Sequence, residues 1–192
     1  MSLPDQQLSS TPVPGTVLGP DVLTTDRRYD YEWGGIALND ASQGLRVQVW
    51  TAYIIGDDIV LDPDDGPAQT LLSVPGGVAA VSLAFDRNMR PVVAYVTSAG
   101  LTRLFWYDTL VADEVDTPFP GIENPRVCHD DKRDMQASSS DVIFAYTRDG
   151  DLYYREQRDR YGVERLLQAD IGAVRLRNIG MGDNLRLHFV LA

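Results

Sequence analysis

Four acidic or amide residues, each placed at the end of an extended apolar segment, recur along the chain at nearly equal spacing. They are Asp40, Asp86, Asp130 and Asn178, so successive positions differ by 46, 44 and 48 residues. Each is followed by a polar or glycine-containing turn and a second extended segment. A period of roughly 40–50 residues with several strands per repeat is typical of the blades of a β-propeller. The spacing therefore predicts an all-β chain built from a repeated sheet.

The clearest copy of this repeat is "AYTRDGDLYYREQRDRYGVERLL", residues Ala145–Leu167. The preceding and overlapping segment Val142–Thr147 is rich in β-branched and aromatic residues, which favours a strand. Asp149–Gly150 is a typical hairpin turn pair, and Leu152–Asp159 is the expected return strand. The tripeptide "RYG" predicts a second turn, after which Val163–Asp170 forms either another strand or a short helix.

The strand at Val142–Thr147 is apolar on both faces. Val142, Phe144 and Tyr146 project to one side, and Ile143 and Ala145 to the other, because side chains alternate along a strand. A strand with two buried faces must lie between layers. We therefore expect a small β-propeller of about four blades. A twisted β-sandwich or meander is the alternative, since sandwiches also supply regularly spaced strands.

The chain divides into a short arm and one large domain. Residues 1–15 contain three prolines and few apolar side chains, which predicts a flexible arm that orders on a partner. Residues 16–192 form a single propeller-like domain. The last repeat reaches Ala192 after its second strand, Leu185–Leu191. We expect Thr16–Trp33 to complete that final sheet by pairing beyond it, as propellers close.

Composition narrows the classes of function. The net charge of −11 argues against nucleic-acid binding, which needs clustered Lys and Arg. No apolar run approaches the roughly 20 residues that span a bilayer, so we expect no membrane insertion. The first residues lack the basic and apolar regions of a signal peptide. Cys128 is the only cysteine, which excludes an internal disulfide and is typical of a chain made in a reducing cytosol.

No residue pattern nominates a reaction. His129 and His188 are the only histidines, and Cys128 next to His129 on a strand must face the opposite way. The chain has no nucleophile elbow, no glycine-rich phosphate loop and no HExxH. The acidic run Gly56–Gly66 is either a set of turns or a calcium site, and turns are favoured because its spacing is not that of an EF-hand. We therefore predict no catalytic residue, metal or cofactor, and a protein that is not an enzyme.

Aromatic and arginine side chains are better candidates for function. Three aromatics alternate in "RYDYEW" and share one face of a strand, where they form a protein interface, a carbohydrate platform or part of the core. Arginine is enriched at interfaces, and several arginines follow the predicted hairpin turn. The predicted interaction surface consists of Tyr29, Tyr31, Trp33, Arg155, Arg158 and Arg160.

Two segments carry a family resemblance. Phe144–Glu164, "FAYTRDGDLYYREQRDRYGVE", resembles repeats in large virion proteins of tailed bacteriophages, which occur in tail, baseplate and fibre-associated proteins with propeller-like modules. Tyr29–Leu45, "YDYEWGGIALNDASQGL", is similar in character to phage structural proteins. The first resemblance is confined to about twenty residues, and it includes no catalytic residue.

The resemblance implies a structural or assembly component of a virion, associated with the tail or baseplate and made in the cytoplasm of a bacterial host. It implies contacts with other virion proteins and a symmetric homo-oligomer in the particle. The alternative is a glycan-binding module of the virion that recognises a receptor on the cell surface. An enzyme of the propeller glycosidase type is the least supported, because no pair of acid and base residues is indicated.

Overall fold

The computed structural model describes residues 24–29, 47–63, 66–86, 90–130, 141–181 and 187–192. Within these ranges the chain forms β-strands and a single turn of 3-10 helix, Gln157–Asp159. The first sheet contains β1 (Thr24–Tyr29), β2 (Val47–Ile55), β3 (Asp58–Pro63) and β4 (Gln69–Ser73). The second contains β5 (Val78–Phe85), β6 (Pro91–Thr97), β7 (Thr102–Asp108) and β8 (Asp113–Phe119).

The third sheet contains β9 (Glu123–His129), β10 (Val142–Arg148), β11 (Asp151–Glu156) and β12 (Arg165–Gln168). A hairpin of β13 (Leu176–Met181) and β14 (Leu187–Leu191) forms the fourth. All neighbouring strands are antiparallel and follow chain order. The all-β prediction is therefore confirmed, and the segment predicted as a strand or short helix after the second turn is the strand β12.

The first strands of successive sheets lie side by side: β1 against β5, β5 against β9, and β9 against β13. The sheets therefore follow one another around an arc with their first strands adjacent. The sheets do not close on themselves within the described residues. This arrangement places the beginnings of the first strands at one end of the sheets and the connections that follow those strands at the other.

Three apolar clusters fill the spaces between consecutive sheets. The first joins Trp50 of the first sheet to Phe85 and Phe105 of the second. The second cluster contains Trp106, the immediate neighbour of Phe105, together with Phe144 of the third sheet. Adjacent residues of β7 thus enter different cores, because strand side chains alternate in direction.

Strand β10 shows the two-sided burial that the sequence predicts. Phe144 and Tyr146 belong to the cluster between the second and third sheets, whereas Ala145 belongs to the cluster between the third and fourth. All five residues from Val142 to Tyr146 are at most 2% exposed. Full burial of a large apolar side chain contributes about 1.5–3 kcal/mol, so β10 anchors two layers at once.

Asp86 and Asp130 confirm part of the predicted period, because each directly follows the first strand of its sheet. The Asp86 carboxylate accepts the backbone N–H of Arg90 (2.9 Å), and the Asp130 carboxylate accepts that of Asp141 (2.6 Å). Each aspartate thus closes the connection between two strands. Asn178 was assigned wrongly, since it lies within β13 and the strand continues beyond it. Asp40 lies outside the described residues.

The predicted closure of the final sheet by the N-terminal segment is wrong for the strand that the structure describes. Thr24–Tyr29 pairs with β2 in the first sheet, with Thr24 opposite Ala52 and Tyr29 opposite Val47. The alternating sequence identified a strand but could not identify its partner, since β1 and β14 offer similar edges. Residues 1–23, which include the predicted arm, and residues 30–46 lie outside the described residues.

The hairpin turn at Asp149–Gly150 is confirmed in detail. Asp149 has φ of 54° and Gly150 has φ of 81°, the pair of positive values that a tight two-residue hairpin requires. The carbonyl oxygen of Gly150 also accepts the N–H groups of Ile171 (2.8 Å) and Gly172 (3.2 Å). A Cβ atom at position 150 would lie 3.4 Å from the carbonyl oxygen of Gly172. The turn therefore fixes the loop that leads to β13.

We expect Gly150→Val to destabilise the protein by about 1–3 kcal/mol, because a β-branched residue is strained at positive φ. Equilibrium urea unfolding measures the change. Gly150→Asn is the matched control: asparagine tolerates the left-handed region, so its loss should be clearly smaller. Equal stability of the valine variant and the parent protein would show that this turn does not need a positive φ.

Candidate interaction site

The sequence between β11 and β12 meets carboxylates from two sheets at one end of the structure. We call this region the arginine junction. It consists of three arginines of the third sheet and the acidic groups that they contact, which are Arg155, Arg158, Arg160, Asp108, Asp130, Asp141 and Glu164.

The backbone of the junction is held in an unusual conformation. After the 3-10 turn Gln157–Asp159, Arg160 (φ 53°) and Tyr161 (φ 56°) are both left-handed. Residues other than glycine reach this conformation only at a cost of about 1–3 kcal/mol each. Hydrogen bonds compensate: the N–H of Tyr161 donates to the carbonyl of Glu156 (3.0 Å), and that of Gly162 to Asp159 (2.9 Å).

The left-handed pair sends two successive side chains in different directions. Tyr161 is buried between the second and third sheets, where its ring meets Trp106 edge to face at 5.1 Å between centroids and Phe144 at 6.2 Å. Such aromatic pairs contribute about 0.5–1.5 kcal/mol beyond the burial of area. Arg160 instead reaches the surface and turns toward the second sheet. The strained turn thus anchors the loop in the core while it presents an arginine outside.

Arg160 joins the third sheet to the second. Both Nε and Nη2 of its guanidinium donate to Oδ2 of Asp108, with Nε at 2.9 Å. The other oxygen of Asp108 accepts the N–H of Leu110 (2.9 Å), so the carboxylate also shapes the turn after β7. The Asp108 side chain is only 2% exposed, whereas that of Arg160 is 49% exposed. A buried acid of one sheet is therefore neutralised by a half-exposed base of the next.

Arg158 makes a second set of contacts within the third sheet. Its Nε donates to Oδ2 of Asp141 (2.7 Å), and its backbone N–H reaches the same carboxylate. Its Nη2 donates to Asp130 (3.1 Å). Since Asp130 and Asp141 flank the connection between β9 and β10, Arg158 fixes this connection against the end of β11.

Arg155 lies deeper, in a network centred on Glu164. Its guanidinium donates to Glu164 (3.0 Å), to Tyr146 Oη (2.7 Å) and to the carbonyl of Tyr161 (2.8 Å). Glu164 also accepts Tyr146 Oη (2.5 Å) and both Nη groups of Arg148 (2.6 and 2.9 Å). Because the Arg155 side chain is only 15% exposed, it stabilises the sheet and is not a surface contact residue.

The carboxylates of the junction titrate in different directions. Burial raises the pKa of Asp108, but the hydrogen bonds from Arg160 and from the Leu110 N–H outweigh burial, and the net pKa is lowered. The same balance lowers the pKa of Glu164, where Tyr146 and Arg148 donate. At Asp141 burial dominates over the bonds from Arg158, so its pKa is raised. Asp108 and Glu164 are therefore held in their charged forms, which suits the roles of anchors for arginine.

Exposed apolar side chains lie on the segments that flank the junction. Leu110 (71% exposed) and Val111 (54%) occupy the turn that Asp108 stabilises. Val163 directly precedes Glu164, and Leu166 and Leu167 lie on β12, the outer strand of the third sheet. Scattered apolar residues are common on protein surfaces, but a contiguous group beside a polar rim marks an interaction site.

The structure thus treats the predicted surface residues differently. Arg158 and Arg160 lie at the outside of the junction, and Arg155 lies inside it. The side chains of Tyr29, Tyr31 and Trp33 fall outside the described part of the structure. Sequence reasoning missed the acidic partners Asp108 and Asp141. Each borders a predicted strand, and that placement was the available signal.

The acidic run Gly56–Gly66 forms mainly a turn and the strand β3 where it is described. Asp58 accepts the hydroxyl of Ser73 at 2.6 Å. Among the described residues no group of three or more His, Cys, Asp or Glu side chains is arranged to hold a metal ion. Cys128 is buried and unbridged, and its Sγ donates to the carbonyl of His129 (3.2 Å). The described residues contain no helix long and apolar enough to cross a bilayer.

Comparisons with protein-family models, with curated proteins and with solved structures find no match to this chain. The arginine junction and the apolar residues beside it are therefore the features from which a function can be inferred.

We expect Arg160→Met to destabilise the protein by about 1–3 kcal/mol, because the buried Asp108 carboxylate loses its charged donor. Urea unfolding at neutral pH measures the loss. Arg165→Met removes an arginine from the exposed edge strand and should cost clearly less, since exposed ion pairs contribute little. If the two variants lose equal stability, the contact between the sheets is not important for folding.

We also expect Glu164→Gln to reduce the dependence of stability on acid. A carboxyl group whose folded pKa is lowered stabilises the fold above its unfolded value, about 4.3 for Glu, and this stabilisation is lost as pH falls through the folded pKa. The parent protein should therefore lose more free energy of unfolding between pH 7 and pH 3 than the variant. The same pH dependence in both proteins would contradict the assignment of Glu164 as a charged anchor.

Proposed function

We propose that this protein is a structural, protein-binding component of a tailed bacteriophage virion, associated with the tail or baseplate. We further propose that its sheets are blades of a small β-propeller, for which a twisted β-sandwich is the alternative. The proposed mechanism is assembly: a rigid stack of sheets presents one end and one outer edge to neighbouring virion proteins.

The propeller proposal draws support from the order of the strands. Each of the first three sheets is a four-stranded meander in chain order, and the first strands of successive sheets are adjacent. A simple two-layer sandwich would bury only one face of each sheet. Here the second and third sheets contribute to cores on both faces, as blades between neighbours do.

The virion proposal draws support from the segment that carries the resemblance. Its polar residues Arg148, Arg155 and Glu164 contact one another, and Tyr146 donates to Glu164 in the same network. The residues that resemble the phage repeats therefore work as one structural unit that locks β10, β11 and the following loop together. A shared structural unit of this kind suggests a shared module and carries no catalytic role.

The observation that carries the protein-binding role is the apolar group on the outer edge of the third sheet. Leu166 is 55% exposed and Leu167 is 42% exposed on β12, whose outer side has no strand partner among the described residues. Proteins usually protect an exposed edge strand with charge or a cover. An edge that keeps two leucines and stands beside half-exposed arginines has the apolar centre and polar rim of a protein interface.

Purified particles provide the direct test of the virion proposal. Quantitative mass spectrometry should find the protein in virions at a fixed copy number compatible with three-, six- or twelve-fold tail symmetry. If the protein occurs in lysates of infected cells but not in purified particles, the structural proposal is wrong, and glycan binding becomes the better hypothesis.

A variant separates the interface from folding. We expect Leu166→Glu to abolish incorporation into particles in a complementation assay while the purified variant keeps its unfolding midpoint, because the side chain is exposed. Ala99→Glu adds the same charge in the exposed turn between β6 and β7 and should be incorporated normally. Normal incorporation of Leu166→Glu would show that the β12 edge does not contact a neighbour.

A further inference from the structure

A cleft of about 430 Å³ opens at the end of the sheets opposite to the arginine junction. It lies where β5 and β9, the first strands of the second and third sheets, begin. Ala79 and Ala80 form one wall, the segment Ile122–Arg126 forms another, and Arg175 stands at the entrance to β13. The volume falls within the range of about 300–1,000 Å³ that is usual for small-molecule sites.

Small residues and a fixed backbone maintain this space. Gly100, in the turn between β6 and β7, has φ of 83°, and a Cβ atom there would meet no other atom within 4 Å, so it borders open space. On the opposite wall Asn124 is left-handed (φ 51°), and its side-chain amide is fixed on Thr147 Oγ1 at 2.8 Å. A strained residue that its surroundings hold in place is a frequent feature of ligand sites.

The charge of the cleft differs in sign from that of the whole protein. Its lining contains two arginines, Arg126 and Arg175, and one acid, Glu123, which sum to +1 in a chain of net charge −11. Arg126 is only 5% exposed. Its Nε donates to the carbonyl of Arg177 (2.9 Å) and its Nη1 to that of Pro125 (2.8 Å), which fixes the guanidinium before any ligand arrives.

Arg175 complements this buried charge at the mouth of the cleft. Its backbone is paired in both directions with Ala192, at 2.8 and 3.0 Å, so its Cα position is well determined. Its side chain is exposed and can swing toward a ligand. One fixed and one adjustable guanidinium are an effective combination for an oxyanion, since arginine binds carboxylates through two parallel hydrogen bonds.

We propose that this cleft binds the carboxylate group of a small organic ligand. The net charge of +1 matches a monoanion, and Glu123 disfavours the denser charge of a phosphate. The apolar surface of Ile122, Pro125 and Ala80 accommodates the carbon body. The same chemistry is offered by a free carboxylic acid and by an acidic sugar of a cell-surface glycan.

Chemical-shift perturbation in the ¹⁵N-labelled protein tests this site with three probes: glucuronate, propionate and glucose. We expect glucuronate to shift the amide signals of Ala79, Ala80 and Gly100, while glucose leaves them unchanged. A response to glucuronate alone identifies an acidic sugar as the ligand class, and an equal response to propionate identifies free acids. Both results support carboxylate recognition.

Two variants test the geometry without touching the buried arginine. Arg175→Ala should weaken glucuronate binding about tenfold or more, as expected for the loss of a hydrogen bond between charged groups. Ala79→Phe should abolish binding because it fills the cleft from an exposed position. Arg165→Ala, which removes the same charge from the distant edge strand, should leave the dissociation constant unchanged.

Three results would overturn the proposal. These are equal shifts with glucose and glucuronate, no shift with glucuronate or propionate, or unchanged binding by both cleft variants when their spectra show the parent fold. None of these results depends on whether the protein is a virion component, because the assay uses the isolated chain.

Discussion

Two-sided burial of the second and third sheets is the constraint on which the remaining structure depends. Strand β10 places Phe144 in one core and Ala145 in the next, and β7 divides Phe105 and Trp106 in the same way. Strands of this kind can carry almost no polar groups along their length. Charged and hydrogen-bonding residues are therefore confined to strand ends and connections, where water or a matched partner is available.

The arginine junction follows from that confinement. Asp108 and Asp141 lie at strand ends that are covered by neighbouring elements, so their carboxylates need donors at close range. Arg160 and Arg158 supply these donors from the loop after β11, and the left-handed backbone at Tyr161 brings the loop into position. The strain of that loop is offset by aromatic packing inside and ion pairs outside.

Local features of the fold were predictable from sequence, whereas long-range partners were not. The hairpin at Asp149–Gly150 depends on a few adjacent residues whose turn chemistry is specific. The burial of β10 on both faces follows from alternation alone. In contrast, Asp108 and Arg160 are 52 positions apart, and no local pattern relates them. The pairing of β1 failed to be predicted for the same reason, because an edge strand does not encode which edge it joins.

The candidate site was predicted in part for a related reason. Arg155, Arg158 and Arg160 look alike in sequence, yet their surroundings separate them. Arg155 donates to Tyr146 and Glu164 within the sheet, while the other two are about half exposed. Alternation along β11 could have placed Arg155 on the face of the sheet. The irregular turn that follows ends the alternation, so the directions of the other two depend on the tertiary structure.

The same strands separate two regions of different chemistry. Strand β5 begins at the cleft and ends at Asp86, and β9 begins at Glu123 and ends beside Asp130. At about 3.3 Å per residue, these strands set the cleft and the arginine junction about 20 Å or more apart. Effects at sites that far apart and without shared contacts are generally additive. A protein neighbour bound at the β12 edge would therefore leave the cleft accessible, and the rigid, doubly buried strands between them allow the two surfaces to act independently.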